Sequence, residues 1–139
     1  MNAKSLLITS AIAVGLAMPA TAQQSSSPHR YVTFFKYTDQ AIKGMTDNPQ
    51  DREAAAAKLS EALGGKLEAT YFFPMGGDFD GIVITQAPSD STIEAINFVA
   101  RSTGSFVRLQ AVPVISSGEF KTLMETAKKG AASYVAPGR

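Results

Sequence analysis

Residues 66–86 read KLEATYFFPMGGDFDGIVITQ. The two ends of this stretch, residues 66–73 and 81–86, are rich in β-branched and aromatic side chains, as β-strands are. The middle, residues 74–80, holds one Pro, two Gly and two Asp, which are residue types of turns. The stretch therefore predicts a β-hairpin with a long loop.

Two further strands are predicted on either side of this hairpin, at residues 30–37 and 106–115, and Pro113 places the end of the last one at a sheet edge or bulge. A short helical turn at residues 39–45 and a longer helix at 49–63, with Pro49 in its first turn, are predicted before the hairpin. A helix follows the hairpin, because Ser91 and Glu94 have capping-box spacing and Gly104 can end it.

The predicted order is strand-helix-strand-strand-helix-strand, which is typical of an α+β fold of the ferredoxin-like split βαβ type (βαββαβ). Right-handed crossovers then place both helices on one face of a four-stranded antiparallel sheet. Ser116 and Glu119 have capping-box spacing and predict an extra C-terminal helix through about residue 129. The predicted domain spans residues 30–129, with a flexible lead-in at 23–29 and a loose tail at 130–139.

The first 22 residues have the three parts of a secretory signal peptide. Lys4 supplies the positive charge, residues 6–16 form the apolar run, and Ala20-Thr21-Ala22 is an A-x-A cleavage site. A membrane anchor is the alternative, but Gly15 and Pro19 interrupt the run well before the roughly 20 residues that span a bilayer. We expect cleavage after Ala22, a periplasmic or secreted mature chain, and no membrane association after cleavage.

Charge and composition exclude several classes of partner and site. The chain has 13 basic and 12 acidic residues, and Lys4 leaves with the signal peptide, so the mature chain is formally neutral. Its charges are interleaved rather than clustered, which argues against nucleic acid as a partner. With no cysteine, the chain can form neither a disulfide nor a thiolate site.

Several short motifs are distributed along the chain. They are Gly77-Asp78-Phe79-Asp80, followed by an apolar strand and then Ala87-Pro88-Ser89-Asp90, together with residues 38–40 and 64–66. These motifs resemble those of the GYD-domain family. The resemblance implies a ferredoxin-like fold that pairs into a dimeric α/β barrel, and it implies no established reaction. Phe79 stands where the family has tyrosine, and residues 73–77 form a stretch one residue longer than usual, so Gly76 and Gly77 both fit the motif glycine.

Candidate catalytic and metal-binding residues are few. His29 could act as a base or a ligand, but it lies in the predicted flexible lead-in, where the geometry that catalysis needs is not held. Asp78 and Asp80 could share a cation, but two carboxylates do not complete a site, and Asp side chains also stabilise turns. We therefore predict a structural hairpin, and neither a metal nor a cofactor.

Alternation of side chains along the strands predicts two faces of the sheet. Val32, Phe34, Ile82 and Ile84 are predicted to face the helices. The other face would enclose a partly wet cavity between the sheets of two subunits, with Arg108 as its cationic anchor. The predicted ligand-binding residues on that face are Phe35, Phe72, Thr85, Arg108 and Gln110. Glu68 and Arg108 lie on the two edge strands, so they either meet across a two-fold axis or are ordinary exposed charges.

Two function classes follow. The first is a periplasmic or secreted homodimer that binds a small organic ligand in the inter-sheet cavity without a defined reaction. The second is a cofactor-independent enzyme resembling the monooxygenases and isomerases of other dimeric α/β barrels, which is an analogy of fold. The lack of cysteine and tryptophan, and of a histidine in a predicted ordered element, favours the first.

Overall fold

The computed structural model describes residues 28–138. The predicted signal peptide, residues 23–27 of the predicted lead-in and the last residue of the predicted tail lie outside the described residues. The elements are β1 (His29–Tyr37), α1 (Asp39–Asp47), α2 (Arg52–Ala62), β2 (Lys66–Phe72), β3 (Gly81–Ala87), α3 (Asp90–Ser102), β4 (Phe106–Val114) and α4 (Ser117–Ala131). The strands form one antiparallel sheet in the order β2-β3-β1-β4. The predicted ferredoxin-like α+β fold with a C-terminal helix is confirmed.

Side-chain caps fix where the first three helices begin. Thr38, Asp51 and Ser89 precede α1, α2 and α3, and each accepts a hydrogen bond from the backbone N–H three residues further on. The predicted start of α2 at Pro49 is wrong, because Asp51 supplies the cap and the helix begins at Arg52. The predicted capping box at Ser91 is also wrong, because Ser89 caps α3 two residues earlier.

The start of β1 differs from its prediction, whereas the start of α4 agrees with it. His29 is the first residue of β1, opposite Ala87 of β3, so its prediction as part of a flexible lead-in is wrong. The pairing with β3 simply extends one residue further than the apolar pattern of the strand. Ser116 and Glu119 form the predicted capping box of α4, in which each side chain accepts the other residue's backbone N–H.

The strand register determines which side chains α2 and α3 cover. Tyr31, Thr33, Phe35 and Tyr37 of β1 are buried on the helix side, and the intervening residues of β1 are only half-buried. We call the uncovered side of the sheet the open face. The predicted faces of β1 and β3 are therefore wrong, since the side chains predicted to meet the helices lie on the open face. Those side chains are Val32, Phe34, Ile82 and Ile84.

The core lies between the sheet and α2 and α3 and has two parts. Tyr31 and Ala87 of the sheet pack with Ile93 and Ile96 of α3 at one end. The Tyr31 hydroxyl donates to the Asp90 carboxylate at the start of α3, and burial together with this partner raises the pKa of Tyr31 to about 12. This contact ties the first turn of α3 to the central strand.

An aromatic cluster around Phe35 forms the other part of the core. The Phe35 ring centroid lies 5.1 Å from that of Tyr37, 5.6 Å from that of Phe72 and 6.3 Å from that of Phe106. These spacings are within the range in which aromatic pairs attract one another. Phe35 therefore joins β1 to both edge strands, β2 and β4.

The C-terminal helix packs differently from the others. Every described residue from 115 onward is exposed, and α4 buries none of its side chains. Phe120, Leu123 and Met124 nevertheless form one apolar stripe along it, and each is about half exposed. None of the helices within residues 28–138 combines the length and apolar composition needed to cross a membrane.

A substitution at Gly81, the first residue of β3, tests the packing around Phe35. A Cβ atom at position 81 would lie 2.5 Å from Phe35 Cζ and closer still to the Tyr71 carbonyl oxygen. We expect Gly81→Ala to lower the free energy of unfolding by about 2 kcal/mol or more, because neither the ring nor the backbone can move away cheaply. Chemical denaturation of the parent and the variant measures this difference.

Gly44→Ala is the matched control, since Gly44 lies inside α1 and a Cβ atom there meets nothing within 4 Å. Alanine favours helix over glycine, so this variant should be as stable as the parent or more stable by about 0.5–1 kcal/mol. Equal stability of Gly81→Ala and the parent would contradict the packing described here.

Candidate functional site

A cavity of about 190 Å³ lies between the sheet and helices α2 and α3. Its apolar wall comes from both layers, with Phe35, Val83 and Leu109 on the strands and Leu59, Ile93 and Ile96 on the helices. Alternation along the strands and the helical repeat along α2 and α3 point these side chains toward one another. The cavity is thus part of the core, in the same layer as the Phe35 cluster.

Four polar side chains are buried in the same wall. Thr33 and Thr85 come from β1 and β3, Ser60 from α2 and Asn97 from α3, and each is 5% exposed or less. Residues of these types are mostly found at protein surfaces, and burying their polar groups costs free energy unless they are hydrogen-bonded. The cavity wall can therefore form hydrogen bonds with a polar molecule, which a purely apolar core could not do.

Two further residues of the cavity wall, Arg52 and Thr70, each carry a buried polar atom without a partner within residues 28–138. Among the described residues, Arg52 Nε and Thr70 Oγ1 are buried side-chain atoms that make no hydrogen bond within the protein. Arg52 is the first residue of α2, and its Nη1 atom donates to Gln50 Oε1 at 3.3 Å. Thr70 lies on the edge strand β2, where its backbone N–H donates to the Glu53 carboxylate at 2.7 Å. That hydrogen bond holds β2 against the first turn of α2, so both unpartnered atoms belong to well-anchored backbone.

The structure divides the predicted ligand-binding residues between the two faces of the sheet. Phe35 and Thr85 line the cavity, and Phe72 packs against Phe35 at the edge with 48% of its surface exposed. Arg108 and Gln110 alternate with the buried Leu109, so they lie on the open face and are exposed. The five residues therefore do not form one site within the chain.

Sequence reasoning missed Ser60, Arg52 and Asn97. Asn97 carried a usable signal, because it falls on the apolar stripe of α3 between Ile93, Ile96 and Ala100, where a polar residue is out of pattern. Arg52 carried none, since an arginine at the start of a helix is usually solvated. The burial of its Nε atom is a property of the tertiary structure.

The Gly77-Asp78-Phe79-Asp80 loop closes the β2–β3 hairpin onto β1. Asp80 Oδ2 accepts the backbone N–H of Tyr37 at 2.8 Å, and Oδ1 accepts Lys36 Nζ at 3.0 Å. The backbone of Asp80 also pairs, since its N–H donates to the Phe35 carbonyl and its carbonyl accepts from Phe73 N–H. Asp80 therefore holds the end of β1 against the hairpin loop.

The ring of Phe79 lies over the open face. Its centroid is 5.2 Å from that of Phe34 and 5.4 Å from Arg108 Cζ, a cation–π distance. A tyrosine at position 79 would carry its hydroxyl at the end of a ring that already packs against Phe34 and Arg108. Within residues 28–138, no group of three or more His, Asp or Glu side chains is placed to share a metal ion.

The Asp80 carboxylate predicts a specific dependence of stability on pH. Burial acts to raise the pKa of Asp80, but the Tyr37 N–H and the Lys36 ammonium outweigh it and hold this pKa below its usual value of 3.8. A pKa that is lower in the folded state stabilises the fold above about pH 3.8, and this contribution is lost as the pH falls through the folded value. Asp80→Asn should therefore lower the free energy of unfolding at pH 7 by about 1–2 kcal/mol, with the difference shrinking below pH 4.

Denaturant titrations between pH 7 and pH 3 measure this difference. Asp78→Asn is the matched control, because Asp78 is exposed two residues earlier in the same loop. The interpretation fails if Asp80→Asn keeps a constant offset from the parent over this range, or if Asp78→Asn behaves in the same way.

Residues 31–124 match the family model described as GYD domain. The match covers β1 through the first half of α4, and so includes the cavity and the Asp80 loop. A search among curated proteins finds no match. Because the match takes in well over half of the chain, the chain belongs to the GYD domain family.

Proposed function

We propose that the mature chain is an exported homodimer that binds a small organic ligand in the cavity between the sheet and helices α2 and α3. The observation that carries this proposal is the wall of the cavity, where Thr33, Ser60, Thr85 and Asn97 are buried beside aromatic and aliphatic side chains. Small-molecule sites combine such an apolar lining with a few polar groups that fix orientation.

The volume of the cavity limits the size of the ligand. At about 190 Å³ it slightly exceeds the roughly 150 Å³ of an apolar cavity that binds benzene. A single ring or a short branched chain with one polar group fits these dimensions.

We propose a different location for the site from the one predicted from sequence. The inter-sheet cavity relied on Phe35, Phe72 and Thr85 sharing a face with Arg108 and Gln110, and they do not share it. Phe35 and Thr85 remain in the proposed site as lining residues. Arg108 and Gln110 instead belong to the surface that a second subunit would cover.

Export is proposed from the sequence of the first 22 residues. The basic, apolar and A-x-A segments occur in the order that the secretory route requires. The lack of cysteine is compatible with any redox compartment, since no thiol is present to oxidise. The mature chain would begin at Gln23.

The homodimer is proposed from two apolar surfaces that the described part of the chain does not cover. On the open face, Val32, Phe34, Ile82 and Ile84 are only half-buried. On α4, the stripe of Phe120, Leu123 and Met124 is exposed along its length. Contiguous apolar surface of this kind marks an interaction site in a soluble protein.

The ionisable side chains of the cavity wall help to distinguish a binding function from a catalytic one. These side chains are Arg52 and Tyr37. Arginine stays protonated in proteins and cannot accept a proton, which leaves the phenol of Tyr37 as the candidate for proton transfer. The binding function needs no such group, so it is the function that the lining supports better.

A thermal-shift screen of small metabolites against the mature protein, followed by calorimetric titration of the hits, tests the proposed site. We expect Ala56→Leu to weaken the binding of a hit at least tenfold, because Ala56 lines the cavity and the larger side chain fills part of it. We expect Arg108→Ala to leave that affinity within about twofold of the parent, because Arg108 lies on the opposite side of the sheet.

The reverse pattern, with Arg108→Ala weakening binding and Ala56→Leu leaving it unchanged, would place the ligand on the open face. Turnover of a hit would favour the cofactor-independent enzyme instead. A screen of broad chemical coverage without any hit would overturn the binding function.

Light scattering of the mature protein at micromolar concentration tests the homodimer. Ile84 lies on the open face between Val32 of β1 and Ala69 of β2, so Ile84→Glu would bury a charge in the proposed interface. We expect the parent to have the mass of a dimer and Ile84→Glu the mass of a folded monomer. Lys58→Glu, a charge change on the exposed side of α2, should remain dimeric. A monomeric parent would defeat the proposal.

A further inference from the structure

We propose that the ligand is a small carboxylate with a compact apolar body, whose carboxylate is bound by Arg52 Nε and the Thr70 hydroxyl. This inference rests on the proposed function, because it assigns a chemical class to the ligand of the same cavity. The observation behind it is that these two lining residues carry the buried atoms, Nε and Oγ1, that have no hydrogen-bond partner among the described residues.

The charge on Arg52 selects the ligand class. A guanidinium has five N–H donors and no acceptor, and it stays protonated in proteins. Leaving one of its N–H groups buried without an acceptor is costly, and the acceptor that suits it best is a carboxylate oxygen. A neutral ligand could accept the same hydrogen bond but would leave the charge without a counter-ion.

The two carboxylates adjacent to Arg52 in the sequence are already engaged elsewhere. Glu53, the next residue along α2, accepts the backbone N–H of Thr70 at 2.7 Å. Asp51, the preceding residue, accepts the backbone N–H of Ala54 at 3.1 Å as the helix cap. Arg52 takes part in none of the ion pairs found within residues 28–138. Its carboxylate partner is therefore expected to come from outside the chain.

Thr70 supplies a second contact of the right kind. A threonine hydroxyl can donate one hydrogen bond, and a carboxylate has a second oxygen to accept it. The Thr70 backbone N–H donates to the Glu53 carboxylate, and Arg52 precedes Glu53 directly on α2, so one hydrogen bond joins the backbones that carry the two donors. Donors carried by backbone that is already fixed lose less freedom when they bind a carboxylate.

The rest of the wall determines the body of the ligand. Phe35, Leu59, Val83 and Ile96 present apolar surface to the cavity, while the buried Asn97 adds one polar contact. Inorganic phosphate or a sugar phosphate would leave this apolar surface unused and would require more donors. A ring or a branched chain of a few carbons covers it.

Benzoate and butyrate, each compared with its neutral amide, test the class. Ligand-observed NMR and calorimetric titration should give at least tenfold tighter binding for each carboxylate than for benzamide or butyramide. Arg52→Gln should remove this preference by weakening the carboxylates to the level of the amides. Thr70→Val, which keeps the shape of the side chain, should weaken the carboxylates about threefold to tenfold. Lys58→Gln, which removes a positive charge from the exposed side of α2, should change neither affinity.

The Arg52 Nε–H resonance gives a readout that does not depend on any variant folding. On addition of benzoate it should move downfield, as an N–H does when it gains a charged acceptor, while the Arg108 Nε–H resonance stays in place. Equal affinity for carboxylate and amide would overturn the ligand class and leave the proposed function standing. If none of the four compounds binds, the class is likewise overturned, and the metabolite screen then decides the proposed function separately.

Discussion

Phe35 is the side chain at which all four strands meet. Its ring packs against Phe72 of β2 and Phe106 of β4, and it occupies the space that a side chain at Gly81 of β3 would need. With Phe35 buried toward the helices, alternation along β1 puts Thr33 and Tyr31 on the same side and Phe34 on the other. Because β1 is bonded to both β3 and β4, this one orientation fixes the inner and outer faces of the sheet.

The cavity follows from that orientation. A sheet that turned its aliphatic residues inward would meet α2 and α3 with close-packed methyl groups. This sheet instead turns Thr33 and Thr85 inward beside Phe35, Val83 and Leu109, and the helices contribute Ser60 and Asn97 as well as leucine and isoleucine. Rings do not fill the space beside small hydroxyl side chains, so a cavity with hydrogen-bonding walls is left in the core. Within residues 28–138, Arg52 Nε and Thr70 Oγ1 are buried without a hydrogen-bond partner, which costs free energy that a paired polar group does not cost.

The same orientation leaves aliphatic residues on the open face, and the Asp80 loop holds its end in place. The Asp80 carboxylate accepts a hydrogen bond from the backbone N–H of Tyr37, whose side chain lies on the buried face of β1. The neighbouring Phe79 packs on Phe34 on the open face. Because the Asp80 loop contacts residues on both faces of β1, it fixes the position of the hairpin along that strand. At the other end of the open face, Arg30 of β1 pairs with Glu68 of β2 at 2.6 Å. Glu68 is therefore engaged within the same chain, and Arg108 lies on the opposite edge strand.

The sequence by itself determined the order and type of the elements, the two edge strands and the family. These follow from local signals, since strand composition, the Pro-Gly-Asp loop and the helix caps act over a few residues each. It did not determine which face of the sheet the helices cover, because period-two alternation defines two faces without saying which one is buried. Only the tertiary structure decided that, through the fit of Phe35 against Gly81. The contact between α2 and the edge of β2, made by Glu53 and Thr70, and the burial of Arg52 Nε likewise depend on tertiary packing and carry no local signal.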